Sequence, residues 1–78
     1  MTKKEFLALF EDIVEADPGT LTGRESLRQD IAGWNSLAAV SFIAMVDEHF
    51  GVTLAPSRIA ASQTLDDLIG LLDGRVNG

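Results

Sequence analysis

Gly33-Trp34-Asn35-Ser36-Leu37 opens the stretch GWNSLAAVSFIAMVDEHFG, residues 33–51. A polar, turn-rich segment gives way here to apolar residues at helical spacing. Leu37, Val40, Ile43, Val46 and Phe50 fall on one set of turns, and Ala39, Phe42 and Met45 on another. The pattern predicts a helix that starts at Asn35 or Ser36, runs to about Phe50 and stops at Gly51. None of the eleven residues 36–46 is charged. A helix that is apolar most of the way round is either buried or covered by something else.

Upstream, Thr2 followed by Glu5 forms a capping box, and Phe6, Leu7, Leu9, Phe10, Ile13 and Val14 recur at helical spacing, predicting a first helix over residues 3–16. Asp17-Pro18-Gly19-Thr20 stops it, because proline disfavours helical geometry at the residue before it. From there to Asn35 the chain is polar, with Leu21, Leu27 and Ile31 as isolated apolar anchors. A loop of this length is uncommon without order or function, so both are expected of it. Downstream, Pro56 opens a short helical turn through Arg58, Ile59 and Ala60. Thr64 caps a last helix with Asp66 and Asp67 in its first turn and Leu65, Leu68, Ile69, Leu71 and Leu72 as its stripe, ended by Asp73-Gly74. The sum is an all-α fold: a small bundle of three main helices plus one short one, with a long loop between the first and second helices, in a single domain over residues 1–78.

Composition narrows the chemistry. Seventy-eight residues, 46% hydrophobic, suffice for one small core. No apolar stretch approaches the roughly 20 residues of a membrane-spanning helix. Lys and Arg total 6 against 12 Asp and Glu, and the resulting net charge of -6 repels nucleic acid and anionic membrane surfaces. The chain has no cysteine, hence no disulfide and no thiolate metal site. Glu5, Glu11 and Asp12 interrupt the N-terminal region before any signal-peptide apolar run, so the expected location is cytoplasmic.

Ser36 is the one candidate for covalent chemistry. The only histidine, His49, lies thirteen residues on. Within one helix that is about 20 Å along the axis, too far for a nucleophile and base pair, so no catalytic residues are assigned and an enzyme is not expected. His49 reads as a solvent-facing residue near a helix C-terminus. The adjacent acids Glu11-Asp12, Asp47-Glu48 and Asp66-Asp67 read as solvated surface, without metal-binding spacing. Trp34 reads as a loop anchor over the edge of the bundle. The plain reading of Asn35 or Ser36 is an N-cap. A serine in the first turn also meets the free N–H groups and the positive dipole end that favour a phosphate.

The run Gly33 to Leu37 resembles the attachment motif of acyl carrier proteins, an Asp-Ser-Leu triplet often preceded by Gly-Trp. The similarity extends through Phe50-Gly51-Val52, the segment at Pro56 and Thr64-Leu65-Asp66-Asp67-Leu68. It implies a carrier in which Ser36 bears a covalent 4'-phosphopantetheine arm holding acyl groups as thioesters, for fatty acid, polyketide or related biosynthesis. The implied partners are a phosphopantetheinyl transferase and acyl-loading and acyl-using enzymes, served by a monomer. Asn35, Leu37 and Val40 match partner-contact positions; Met45 matches one as well, but competes with a place in the core. Asn35 departs from the family by standing where its aspartate is expected, and Ala38 and Ser41 stand where further acids are usual. Charge sets association rate and partner choice, so this departure implies unusual partners. Two alternatives share the fold: a peptidyl or aminoacyl carrier, and an unmodified protein-interaction module docking through the uncharged helix.

Overall fold

In the computed structural model of the protein, which describes residues 1–77, Thr2 starts the first helix by a reciprocal exchange. Its hydroxyl oxygen accepts the Glu5 N–H at 3.1 Å, and the Glu5 carboxylate accepts the Thr2 N–H at 3.1 Å. Helix α1 spans Lys3–Val14 and buries Phe6, Phe10 and Val14. It ends two residues short of the predicted residue 16. The missing N–H of Pro18 is not the cause, since it would pair only with the Val14 carbonyl, one of the four that a helix ending at residue 16 leaves free in any case. Instead Glu15 turns left-handed, with φ 59°, and Ala16 donates back to the Glu11 carbonyl at 2.9 Å.

Helix α2, Ser36–Phe50, has the predicted limits. Asn35 caps its start and Gly51, at φ 67°, ends it. Ala38, Phe42, Met45 and Val46 point inward, which assigns Met45 to the core. Helix α3, Pro56–Ala61, begins with proline at its first position and buries Ile59. Helix α4, Leu65–Gly70, is shorter than its apolar stripe suggests. Beyond it Leu71 and Leu72 donate to the carbonyls three residues back, at 3.1 and 3.0 Å. These tighter turns still deliver Leu72 to full burial.

The buried residues form one cluster. Phe42 of α2 meets Phe6 and Phe10 of α1 edge to face, with ring centroids 6.0 and 5.8 Å apart. In the long connection Leu27 and Ile31 are buried and Leu21 is half-buried, so the apolar anchors pin it as expected. Leu27 donates to the Gln63 carbonyl at 2.9 Å, while Leu65 and Asp66 donate to those of Glu25 and Gly23 at 3.1 and 2.8 Å. The loop is thereby laced to the start of α4. Among the described residues the only extended pairings are the isolated bridges Thr2 to Asn77 and Ser26 to Thr64, and there is no strand.

One expectation about the surface is overturned. Glu11 does not lie on a solvated face: it is buried, and its carboxylate accepts N–H bonds from Gly19 at 3.1 Å and Leu21 at 3.0 Å. The turn at Pro18 folds these donors back over α1, and a carboxylate that receives them need not stay in water.

Candidate functional site

The geometry around Ser36 is set from both sides of α2's start. Gly33 passes so close to the end of α1 that a Cβ there would collide with the Val14 carbonyl. This lets Trp34 lie flat on Phe10, with ring centroids 5.5 Å apart at 23°, and meet Phe42 edge-on at 6.2 Å. Trp34 is thus a loop anchor whose stacking fixes the backbone two residues before Ser36. Asn35 is extended and its Oδ1 accepts the Ala38 N–H at 2.9 Å, while the Asn35 carbonyl takes the Ala39 N–H at 2.9 Å. Ser36 is the first residue of the helix and is exposed. The N–H groups of Ser36 and Leu37 precede the first helical carbonyl they could use and face outward with it. The plain N-cap role therefore belongs to Asn35, and the Ser36 hydroxyl is left for other work.

Leu37 and Val40 are 76% and 63% exposed. With Ser41 and Ala44, also exposed, they form one stripe at helical spacing. Ala38, by contrast, is buried, so of the two positions where acids were looked for only Ser41 faces out.

Beside the stripe runs a groove of about 480 Å³ between α2 and α3, lined by Trp34, Ser36, Ala39, Val40, Ile43 and Ile59, with Arg28 at its edge. Arg28 ties the long loop to the end of α3, its Nη2 donating to the Ala60 carbonyl at 2.6 Å and its Nη1 to that of Ser62 at 3.2 Å. Neither the groove nor Arg28's part in it was legible in the sequence. Ile59 carried a helical-spacing signal, but Arg28 reaches across more than thirty residues to its acceptors and leaves no local trace.

His49 is exposed in the last turn of α2, at the far end of the helix from Ser36. Among the described residues no three His, Cys, Asp or Glu side chains gather as a metal site, and no helix is long and apolar enough to cross a membrane. The carboxylates held below the usual range all lie away from Ser36, at turns and helix starts. Glu5 and Asp67 are lowered by N–H bonds from the backbone, from Thr2 for the first and from Thr64 and Gln63 for the second. For Glu25, burial works against the charged form, but bonds from the Thr22, Glu25 and Gly23 N–H groups and the Thr22 hydroxyl together outweigh it.

An arm esterified to Ser36 fits these surroundings: the hydroxyl is exposed, unclaimed helix N–H groups flank it, and the apolar groove opens at its side. A family model described as phosphopantetheine attachment site matches residues 4–72. Comparisons with curated proteins and with solved structures returned no match.

Proposed function

The chain belongs to the phosphopantetheine attachment site family, whose domains carry 4'-phosphopantetheine covalently on a serine, and from this we propose that it is an acyl carrier protein with Ser36 as the attachment residue. The observation that carries the choice of serine is exposure at the start of a long helix beside the groove. Ser62 is buried and its hydroxyl donates to the Arg58 carbonyl, and Ser26 takes the Gln29 N–H in a turn. Ser41 lies inside α2, where the N–H groups are already paired, and Ser57 belongs to a helix of six residues.

Ser36 supplies only its hydroxyl oxygen; the transferase supplies base and metal, which is why no activating side chain is needed next to it. The free N–H groups of Ser36 and Leu37 and the positive end of the α2 dipole favour the resulting phosphodiester by about 0.3 to 1 kcal/mol. Once attached, the arm supplies a thiol that holds acyl groups as thioesters. Asn35, Leu37 and Val40 form the contact surface for the transferase and for the acyl-loading and acyl-using enzymes of fatty acid, polyketide or related biosynthesis. The chain works as one non-catalytic carrier domain, monomeric and cytoplasmic, a reading its acidic surface supports. The mass of the group loaded in the native host distinguishes this from a peptidyl or aminoacyl carrier.

The test is intact mass before and after incubation with coenzyme A, magnesium and a promiscuous phosphopantetheinyl transferase. The expected outcome is a gain of one phosphopantetheine in the wild type and none in Ser36→Ala. Gain in both would move the attachment site to another serine. Gain in neither, under conditions that load a control carrier, would favour the unmodified interaction module.

A further inference from the structure

This inference rests on the carrier reading and concerns what docks beside Ser36. The stripe of Leu37, Val40, Ser41 and Ala44 is exposed and carries no charge. The first acid on the same face is Asp47, eleven residues beyond Ser36, about 16 Å along the axis. That is about two screening lengths at physiological ionic strength, so the acids at the far end of α2 contribute little at Ser36 and Leu37, while Ala44 lies within one turn of Asp47. Two charged side chains flank it. Glu15 shares a hollow with Leu37 and Ser41 on one side, and Arg28 shares the groove with Ser36 and Val40 on the other. They are of opposite sign, one each. A chain with a net charge of -6 thus carries, beside Leu37 and Val40, only one charge of each sign among the residues lining the flanking hollows.

The neutrality is not dictated by the fold. Asn35 acts as an N-cap, and aspartate caps a helix equally well. Ser41 is exposed and would accept an acid without entering the core. A basic docking surface laid on Leu37 and Val40 would lose water from its cations and gain no counter-charge. An uncharged recess would bury both side chains and leave no ion unpaired. We propose that the enzymes acting on Ser36 dock on the Leu37 and Val40 stripe through an uncharged apolar recess, so that their association with this carrier is insensitive to salt.

The experiment uses two phosphopantetheinyl transferases chosen for their carrier-docking surfaces, one basic and one uncharged and apolar, assayed from about 25 to about 500 mM sodium chloride, a range over which screening tightens severalfold. With the apolar enzyme, wild-type kcat/KM is expected to stay within about twofold across the range, and Leu37→Ser and Val40→Ser each to lower it by about tenfold. With the basic enzyme, the double variant Asn35→Asp, Ser41→Glu is expected to be modified about tenfold faster than the wild type, with only the variant losing rate as salt rises. A steep loss of wild-type rate with salt, or rates indifferent to Leu37→Ser and Val40→Ser, would overturn the proposal. So would modification confined to the acidic variant, which would make Asn35 a block instead of a selector. Sedimentation that shows wild type but not Leu37→Ser to be a dimer would overturn it as well, by assigning the stripe to a second copy of the chain. If no protein in the set, the acidic variant included, gains mass with either enzyme, the carrier reading itself fails instead.

Discussion

Glu11 and Asp12 are neighbours in sequence with opposite fates, Asp12 exposed and Glu11 4% exposed. What separates them is helix phase together with donors eight and ten residues away: Gly19 and Leu21 come back over α1 because Pro18 forces the turn. No pattern within a few residues of Glu11 announces this, so a reading from local spacing sends both acids to the surface. The energetic consequence is testable. Glu11→Ala leaves two loop N–H groups without their acceptor in a partly buried place and is expected to lower stability by about 2 kcal/mol, with Glu11→Gln losing less because one oxygen still accepts. Urea denaturation at neutral pH measures both, and a loss under about 0.5 kcal/mol for the alanine variant would mean that water replaces the carboxylate freely. Ser36 illustrates the opposite case. Its position was legible because the residues that place it, from Gly33 to Leu37, are consecutive, and the structure adds the reason Gly33 is needed: its backbone lies against the Val14 carbonyl.

Elements with local start and stop signals were read to within a residue or so. Helix α2 has both, Asn35 with its Oδ1 on the Ala38 N–H and Gly51 in the left-handed region, and the uncharged run between them left its phase clear. Helix α1 was overrun by two residues because its end is set by Glu15 in the left-handed region, a conformation usually signalled by glycine or asparagine and carried here by a residue that gives no such signal. Helix α4 was overrun because Leu71 and Leu72 keep an apolar spacing that three-residue turns satisfy as well as helical ones. The phase of α2 also separates side chains that spacing alone could not: Met45 turns inward while Leu37 and Val40 stand out. The cap itself yields a prediction that isolates structure from recognition. Asn35→Ala removes the bond to Ala38 and is expected to cost about 1 kcal/mol of stability, whereas Asn35→Asp keeps it and is expected to change stability by only a few tenths. Thermal unfolding of the two variants checks this, and an aspartate variant as unstable as the alanine one would show that the amide, not the acceptor oxygen, holds the start of α2.

At the scale of the whole molecule, three carboxylates hold local turns and helix starts along the chain: Glu5 at the start of α1, Glu25 across residues 22 and 23 in the long loop, and Asp67 at the start of α4. All three have pKa values below the usual carboxylate range, Glu5 and Asp67 through backbone N–H bonds and Glu25 through bonds that outweigh its burial. A carboxylate whose folded pKa is depressed contributes stability that is fully present above its unfolded value, about 4, and is lost as pH falls through the folded value. The net charge of -6 acts in the other direction, since protonating acids relieves self-repulsion. The two effects differ in range. Repulsion between scattered surface charges is screened by salt, while a carboxylate 3.0 Å from its donors is screened far less. In about 0.5 M salt, therefore, the hydrogen-bonded acids should govern, and Tm is expected to be level from pH 7 to about 5 and to fall below about pH 4. A triple variant, Glu5→Gln, Glu25→Gln, Asp67→Asn, keeps acceptor oxygens at the three turns but has no charge there to titrate. Its Tm should lie below the wild-type value at pH 7, change less with acid, and approach the wild-type curve once pH has fallen through the depressed folded values, where the native carboxyls become neutral too. Parallel curves over the whole range would assign the acid sensitivity to other groups.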